Sequence, residues 1–324
     1  MRIVITGSNG GLGRQILNDW QNKPWELVPL VRRLPAQNSS SEKLRYVKVD
    51  YQNERQLVAA LTGADILIHC AGKVSPTGRY KDFYEANVSL TELLLKASVQ
   101  AKLKRFVYVS TPSVYVENFD HLNISEAGPL PLKPINHYAS TKKMGEDLVL
   151  QYHLQGLTGI AIRPQGLIGP FDQTFLPRLM SLAKKGILPI IGSGRTMTDL
   201  TIASNVVDAL ELVSFAPNEV CGKVYNISNG EPVVFYDFLR RILRKLNLPV
   251  REIRIPLQLA FAMANVLETA FSFSEKEPPL TKYTVCAMGR SRTLDISRAR
   301  NLLGYNPRIG LAEGVEVLLK QLSC

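Results

Sequence analysis

The chain has 324 residues, of which 45% are hydrophobic and 21% are charged. This composition provides material for one large α/β domain or two unequal domains, and it excludes a disordered chain. Lys and Arg outnumber Asp and Glu by 39 to 28, which gives a formal net charge of +11. The excess indicates an anionic partner, such as a nucleotide, an acidic thioester, a lipid surface or a nucleic acid.

Several classes of protein are disfavoured by the sequence. We do not expect nucleic-acid binding, because the chain has no Lys/Arg tract and no zinc-finger spacing, and we expect no metal site. The widely spaced cysteines predict a reducing compartment and hence a cytoplasmic location; they are Cys70, Cys221, Cys286 and Cys324. We also expect neither a signal peptide nor a membrane-spanning helix.

Apolar runs alternate with helical patterns through the first half of the chain. The predicted strands are residues 2–5, 27–31, 45–49, 65–69, 105–110 and 159–163. The predicted helices are residues 12–20, 54–61, 80–101 and 138–155. This alternation predicts right-handed βαβ units and a Rossmann-type α/β fold with a doubly wound parallel sheet. Pro29 lies inside the second run, where its missing N–H is unfavourable in a central strand.

The pattern loosens after Pro170. Short helices are predicted at 174–186 and 235–246, with short strands near 189–191 and 199–202. A further strand at 224–227 is expected to return to the main sheet. We therefore expect a first domain at 1–172, to which 203–231 returns, and a smaller C-terminal substrate-binding lobe. That lobe comprises residues 173–202 and 232–324.

A glycine-rich turn connects the first predicted strand to the first predicted helix. Glycines let the backbone turn sharply and approach a pyrophosphate, which binds at the positive end of the helix. Three glycines at this spacing are weak evidence by themselves, but their place between the first strand and the first helix of a βαβ chain predicts a dinucleotide site. The predicted contacts are Gly7, Asn9, Gly10, Gly11, Leu12 and Gly13.

The end of the second strand bears on which dinucleotide binds. An acidic residue there would hydrogen-bond the ribose 2′-hydroxyl of NAD, but the sequence has Arg32 and Arg33. The planar fork of an arginine suits a 2′-phosphate. We therefore favour NADP(H) as the cofactor, with NAD(H) as the alternative. The interpretation without a function is that the two arginines belong to a solvated loop.

Tyr138 and Lys142 form a candidate catalytic pair at the start of a predicted helix. Residues at i and i+4 lie on one helix face. An ammonium group beside a phenol favours the phenolate and lowers its pKa, so the phenol can exchange a proton near neutral pH.

With these features the sequence resembles the extended short-chain dehydrogenase/reductases, within the NAD-dependent epimerase/dehydratase superfamily. The resemblance covers nearly the whole chain. The matching positions are 6–13, Asp50, 69–72, Asn87 with Val88, 110–115, Tyr138 with Lys142, 163–164 and 169–170.

The resemblance implies a role for each matched residue. Tyr138 would be the general acid/base, and Lys142 would hold the nicotinamide ribose and lower the Tyr138 pKa. Thr111 would position the substrate oxygen, with Ser110 and Ser113 as fallbacks. Asn87 would support a water relay behind Lys142. The remaining cofactor contacts would be Asp50, Tyr51, Ala71, Gly72 and Arg163.

Two positions separate this chain from typical nucleotide-sugar enzymes of the superfamily. Gly166 stands where they have Asn, and Thr198 stands where they have Arg, although Arg195 could substitute for one of these two polar groups. The chain is more similar to the 3β-hydroxysteroid dehydrogenase group. The similar stretches are 198–209, 222–232, 278–283 and 295–307.

This similarity implies an oxidoreductase that interconverts a ketone and a secondary alcohol by hydride transfer, with Tyr138 as general acid/base. The substrate would be hydrophobic: a 3-keto lipid, a polyketide or a steroid-like ketone. The alternatives are a nucleotide-sugar epimerase, dehydratase or reductase that uses bound NAD(P), and a dinucleotide-binding sensor without activity.

Two interaction surfaces are expected. Residues 255–273 are apolar with few polar interruptions, so they form a packed amphipathic helix, a lid over a greasy substrate, or an interfacial helix that contacts a membrane. The superfamily resemblance also implies a homodimer formed through the helices at 80–101 and 138–155.

Overall fold

The computed structural model describes residues 1–35, 41, 43–271, 274 and 276–322. Its centre is a parallel sheet of seven strands. These are β1 (Arg2–Thr6), β2 (Glu26–Val31), β3 (Val47–Lys48), β4 (Ile66–His69), β5 (Arg105–Val109), β7 (Gly159–Pro164) and β12 (Val224–Ile227). Their order across the sheet is β12-β7-β5-β4-β1-β2-β3. The predicted Rossmann-type, doubly wound parallel sheet is confirmed.

Helices cover both faces of this sheet because consecutive strand residues point to opposite faces. Ile3 and Ile5 are buried in one core cluster, whereas Val4 between them is buried in another. The first cluster includes side chains of α1 (Gly11–Trp20) and α7 (Ala203–Phe215). The second includes side chains of α2 (Glu54–Leu61), α4 (Leu90–Gln100) and α5 (His137–Leu154).

Pro29 is accommodated in β2 by a gap in the strand pairing. The N–H of Leu27 donates to the Lys43 carbonyl on the β3 side of β2, and Leu30 pairs with Val47 in β3. Pro29 is two residues from Leu27, so its missing N–H faces the same side. This side is paired at Leu27 and again from Leu30 onward, and the proline falls between the two.

The long helix predicted at 80–101 is divided into three parts. α3 (Tyr80–Tyr84) is followed by a π-helical turn, Glu85–Ser89, and then by α4. Single π-helical turns inside α-helices are rare and frequently occur at functional sites. This turn contains Asn87, one of the predicted site residues.

A second sheet covers the carboxyl end of the central sheet. Its strands, in order, are β13 (Val233–Val234), β10 (Met197–Thr198), β15 (Arg292–Leu294) and β6 (His121–Ile124). Two strand pairs accompany it: β8 (Leu167–Ile168) with β11 (Thr201–Ile202), and β9 (Ile187–Ile191) with β14 (Arg251–Ile255). The helices of this region are α6 (Phe175–Lys184), α8 (Phe235–Lys245), α9 (Leu257–Ala270), α10 (Lys282–Gly289), α11 (Ser297–Leu303) and α12 (Leu311–Leu322).

The segment at 255–273 folds mainly as α9, and Ser272 and Phe273 lie outside the described residues. Ala260 and Ala264 of this helix are buried in a small core cluster with Ile191 and Val285. Within the described ranges, no helix is both long enough and apolar enough to cross a bilayer.

Candidate active site

A cavity of about 2160 Å³ opens where the carboxyl ends of the central strands meet. In open α/β sheets, ligands bind at this edge. Most of the predicted site residues line the cavity: Gly7, Asn9, Gly10, Gly11, Leu12, Gly13, Arg32, Asp50, Tyr51, Ala71, Gly72, Ser110, Thr111, Tyr138 and Lys142. The fold therefore brings the phosphate-loop glycines and the candidate catalytic residues to one site.

The glycine loop is packed too closely to admit larger residues. Gly7 has φ +73°, and a Cβ atom on it would lie 2.6 Å from the backbone nitrogen of Ala71. A Cβ atom on Gly13 would collide with the Gly7 carbonyl, and one on Gly11 would lie 2.6 Å from the Phe171 carbonyl oxygen. No side chain caps the start of α1, so its first N–H groups are available to an anion. These residues fit the pyrophosphate of a dinucleotide.

Basic side chains line the cavity near the end of β2. Arg32 and Lys48 are exposed and line the cavity there. Arg45 also lines the cavity, but it lies at the start of β2, where its guanidinium pairs with Glu26. The phenol of Tyr51 donates to the Leu30 carbonyl at 2.8 Å, which places this ring beside the end of β2. The sequence pointed to Arg32 and Arg33, of which Arg32 is a cavity-lining residue. It did not point to Lys48, which lay in a predicted strand and carried no motif.

Lys142 is held by the end of β5. Its Nζ donates to the Val109 carbonyl at 2.6 Å and lies 4.0 Å from the centroid of the Tyr108 ring. The side chain is buried, and burial lowers the pKa of Lys142 to about 7. Asn136 accepts the Ala139 N–H at 2.8 Å and so fixes the start of α5, one turn before Lys142.

Tyr138 behaves differently from the expectation. Burial raises the pKa of Tyr138 above its ordinary value, and a side-chain hydrogen bond with Thr111 opposes that rise. The predicted lowering of this pKa by Lys142 is therefore not found in this structure, in which the lysine ammonium faces Val109 and the Tyr108 ring. At neutral pH, Tyr138 carries its proton and is poised as an acid.

Hydroxyl groups continue from Tyr138 into the C-terminal part of the chain. Thr111 Oγ1 donates to Ser113 Oγ at 3.0 Å, and Ser113 Oγ lies 3.0 Å from the phenol oxygen of Tyr283 on α10. The other fallback, Ser110, has a buried Oγ without a protein partner. Sequence reasoning missed Tyr283. Tyr283 lies in the stretch 278–283, which indicated similarity to a family but was not interpreted as part of the site.

Asn87 is buried and its amide is fully engaged. Its Nδ2 donates to the Lys73 carbonyl at 3.2 Å and to Thr141 Oγ1 at 3.0 Å, while its Oδ1 accepts the Lys73 N–H at 2.8 Å. A Cβ atom on Gly72 would lie 2.7 Å from this Oδ1 and 3.9 Å from Lys142 Nζ. Asn87 thus connects the loop after β4 to α5 through Lys73 and Thr141, close to Lys142.

Arg163 is placed away from the cavity lining. Its guanidinium forms a two-point ion pair with Glu146 on α5 and a hydrogen bond with the Tyr115 phenol. Arg163 and Glu146 are both almost fully buried. The geometry supports a structural role that joins β7 to α5 rather than the predicted contact of this side chain with a cofactor.

Comparisons with known proteins agree with this geometry. Residues 4–258 match the 3-beta hydroxysteroid dehydrogenase/isomerase family. The 3beta-hydroxysteroid-dehydrogenase/decarboxylase isoform 1 of Arabidopsis thaliana is 33% identical over 99% of this chain and 79% of its own length. A 4-hydroxy-2-methyl-3-oxo-4-farnesyl-3,4-dihydroquinoline-1-oxide ketoreductase of Stigmatella aurantiaca is 30% identical over 98% of this chain and 96% of its own.

Solved structures show the same fold. The UDP-glucuronic acid 4-epimerase of Bacillus cereus, in complex with NAD, superposes with a TM-score of 0.77. Its sequence is 21% identical, and the match covers 100% of both chains. This similarity concerns the fold alone.

Proposed function

The chain belongs to the 3-beta hydroxysteroid dehydrogenase/isomerase family of oxidoreductases, within the extended short-chain dehydrogenase/reductases, and from this premise we propose an NADP(H)-dependent enzyme that interconverts a ketone and a secondary alcohol on a hydrophobic substrate. One observation carries the proposal. The hydroxyl-bearing side chains of Tyr138 and Thr111 line the same cavity as the glycine loop and the buried Lys142.

The chemistry divides between cofactor and protein. When bound, the nicotinamide ring supplies or accepts the hydride. During reduction, Thr111 and Tyr138 hold the substrate carbonyl oxygen, and Tyr138 donates its proton to the developing alkoxide. The raised pKa of Tyr138 keeps that proton in place until the oxygen becomes strongly basic. Lys142, with a pKa of about 7, is able to take up or release a proton as charge on Tyr138 changes.

The preference for NADP(H) is supported by the charges near the end of β2. Arg32 lines the cavity there, and so does the exposed Lys48, which pairs with Val31 at the end of the strand. A ribose 2′-phosphate would bind favourably to such a cluster, whereas the 2′-hydroxyl of NAD would gain little from it. NAD(H) is the alternative.

A hydrophobic substrate is supported by the relatives and by the departures from the nucleotide-sugar pattern. One relative is named for a hydroxysteroid and another for a farnesylated ring ketone. Gly166 adopts φ +49° and offers no side chain, Thr198 is buried, and Arg195 is exposed. A nucleotide-sugar epimerase or dehydratase is the second candidate, favoured only by similarity of fold.

The deciding experiment is NADPH oxidation against a panel of long-chain 3-keto acids and their esters, keto-steroids, and UDP- and dTDP-sugars. We expect turnover of hydrophobic ketones by the native protein and at least a 1000-fold loss in Tyr138→Phe, with NADPH binding retained. Asp147→Asn, on the exposed face of α5, is the matched control and keeps full activity. Turnover of nucleotide sugars alone, or NAD retained through purification, would reject the proposal.

Peripheral membrane contact is a second proposal, supported by one face of α9. Leu259, Met263 and Val266 are each at least 40% exposed and recur at helical spacing. The opposite face, which includes Phe261, is packed on the core. We expect flotation with anionic vesicles for the native chain and its loss when these three exposed residues are changed to Ser. Equal flotation of the two proteins would reject membrane contact through this helix.

We also propose a homodimer formed by the adjacent helices at 80–100 and 137–154. Tyr80 and Tyr84 are exposed on α3, and their rings lie 5.8 Å apart. An exposed aromatic pair beside a long helix suits a four-helix interface. Sedimentation equilibrium would report a dimer for the native chain and a monomer for Tyr84→Arg. A native monomer at micromolar concentration would contradict the proposal.

We further propose a cytoplasmic location, which agrees with the free thiols of Cys70, Cys221 and Cys286.

A further inference from the structure

Three hydroxyl groups form a continuous set that begins at the cavity wall. Thr111 lines the cavity, whereas Ser113 and Tyr283 are outside its lining in the described part of the chain. Thr111 Oγ1 donates to Ser113 Oγ at 3.0 Å, and Ser113 Oγ lies 3.0 Å from the phenol oxygen of Tyr283. We call these three residues the hydroxyl triad. Thr111 and Ser113 are both buried, so their hydroxyls depend on protein partners for their hydrogen bonds.

The position of Tyr283 is fixed by the start of α10. The side chain of Thr281 caps this helix, and Glu268 of α9 accepts the Lys282 N–H at 2.8 Å. The first turn, which carries Tyr283, is thus attached to a neighbouring helix. Tyr283 and Ser113 are 170 residues apart in the sequence. Only the folded C-terminal part of the protein therefore brings the phenol to the end of β5.

The backbone fixes the oxygen of Thr111 but leaves its proton free to rotate. Thr111 precedes a single 3₁₀ turn, Pro112–Tyr115, and its Oγ1 accepts the Ser113 N–H at 3.1 Å. A threonine hydroxyl has one proton to donate and two lone pairs that accept. This backbone hydrogen bond occupies one lone pair and holds the oxygen at the cavity wall. The direction of the O–H bond is set by the other members of the hydroxyl triad.

The proton of Thr111 has two acceptors to choose between during a reaction. In this structure it is directed to Ser113 Oγ. When a ketone is reduced, negative charge develops on the substrate oxygen, and a donor aimed at that oxygen stabilises the transition state. If Thr111 turns its proton to the substrate, Ser113 must turn its own proton to Thr111 Oγ1 to preserve the bond between them. That bond then remains, with its direction reversed.

Tyr283 makes the reversal favourable. Either atom of the contact between Tyr283 and Ser113 is able to donate, and a phenol is a stronger donor than an aliphatic hydroxyl because it is more acidic. When Tyr283 donates to Ser113 Oγ, it replaces the hydrogen bond that Thr111 withdraws. Every oxygen of the hydroxyl triad then keeps a partner, which avoids the cost of leaving a buried polar group unpaired.

We propose that Tyr283 and Ser113 are positioning residues that direct the Thr111 proton onto the substrate oxygen. The assignment rests on the proposed ketone–alcohol chemistry, in which Thr111 and Tyr138 hold that oxygen. No covalent bond changes within the hydroxyl triad, because its O–H groups only rotate. The proton that is transferred to the substrate comes from Tyr138. The C-terminal part of the protein thus contributes to the polarisation of the ketone through a residue outside the cavity lining.

The test measures kcat and KM for the NADPH-dependent reduction of 2-decalone, an apolar ketone without a charged group. Tyr283→Phe and Ser113→Ala should each lower kcat about 10-fold. KM should change little, because the lost interaction is strongest in the transition state. The double variant should lose no more than either single variant, since both act through one hydroxyl. Thr111→Ala should lower kcat roughly 100-fold, and adding Tyr283→Phe to it should change kcat by less than about 2-fold.

A matched control separates this role from a structural one. Tyr305 is a buried tyrosine whose phenol donates to the Ser228 carbonyl at 3.1 Å, and it is not among the residues of the site. Tyr305→Phe should lose stability but keep the native kcat. Full kcat in Tyr283→Phe, or a Tyr283→Phe loss that persists unchanged in Thr111→Ala, would overturn the proposal. Either result would leave the reduction of the ketone established.

A measurement without turnover distinguishes this proposal from the proposed function. Isotope-edited infrared spectra of the carbonyl of 2-decalone, bound together with NADP⁺, report how strongly the C=O bond is polarised. The native protein should shift the C=O stretch to a lower frequency than in water. Tyr283→Phe should reverse much of that shift, and Tyr305→Phe should leave it unchanged.

The two proposals then fail in different ways. If no ketone is reduced, the proposed function fails, and the infrared spectra alone decide the role of the hydroxyl triad. Equal carbonyl frequencies in the native protein and in Tyr283→Phe would overturn that role. The absence of a shifted carbonyl band in the native protein would overturn it as well.

Discussion

The ammonium of Lys142 lies 4.0 Å from the centre of the Tyr108 ring and is enclosed between that ring and the Val109 carbonyl. The contact is a cation–π interaction inside the protein, and it holds the side chain under Gly72 at the cavity wall. Such enclosure costs the lysine most of its hydration, which is why its pKa falls to about 7. The protonated form of Lys142 is therefore destabilised by burial, which affects the stability of the protein as well as its chemistry.

Lys142→Met should change how stability depends on pH. The folded pKa of Lys142 is about 7, and its ordinary value is 10.5. Between these values the unfolded chain binds a proton that the folded chain does not, so the free energy of unfolding rises with pH. Below pH 7 both states are protonated and the cost is fully present. From pH 7 to 9, the native protein should gain on the order of 1–2 kcal/mol relative to Lys142→Met. Urea unfolding across this range measures the difference, and parallel pH profiles would contradict it.

Arg32→Ala should reduce the preference for NADPH over NADH. Arg32 lines the cavity at the end of β2, where a 2′-phosphate would lie, and a charge-assisted hydrogen bond contributes about 1.5–3 kcal/mol. The ratio of kcat/KM for the two cofactors should fall by roughly 10- to 100-fold, mainly through weaker NADPH binding. Arg33→Ala is the control, because Arg33 is exposed and is not among the cavity-lining residues. An unchanged ratio in Arg32→Ala would remove the basis for preferring NADP(H).

Gly13→Val should abolish cofactor binding. A Cβ atom at this position would collide with the Gly7 carbonyl, and it would lie 2.6 Å from Ser8 Cα. The loop would have to move away from the start of α1, and its N–H groups would no longer converge on a phosphate. Fluorescence titration with NADPH measures the loss, which we expect to exceed 100-fold. In Gly310→Ala the added Cβ has its nearest neighbour at 3.8 Å, so this variant should bind normally. Tight binding by Gly13→Val would place the pyrophosphate elsewhere.

Glu146→Leu should destabilise the protein strongly, because it leaves the Arg163 guanidinium buried without its carboxylate. Breaking one side of a buried ion pair costs about 3–5 kcal/mol. The double change Glu146→Leu with Arg163→Met removes both charges and should recover much of that loss. Urea denaturation of the three proteins measures the coupling between the two residues. Additive losses would show that the pair is not a unit, and a selective loss of NADPH binding in a stable variant would restore a cofactor role for Arg163.

The local sequence determined the central fold because its signals depend on neighbouring residues. Alternating apolar runs and helical patterns define βαβ units, whose handedness and parallel pairing follow from chain geometry. Helix α2 was predicted with its observed ends, Glu54 and Leu61. Motif spacing was sufficient to identify residues that meet at one cavity, namely Gly7, Gly10, Gly13, Tyr138 and Lys142.

The tertiary structure alone decided which groups remain charged, paired or unpaired. The sequence could not show that Lys142 would be enclosed by Tyr108, that Arg163 would bind Glu146, or that the Nε of Arg292 would be buried without a partner. It also missed the short strands of the second sheet, which pair residues as distant as His121 and Arg292. Burial and pairing depend on side chains brought together across the fold. The resulting loss of hydration, rather than any local pattern, sets the electrostatics of the site.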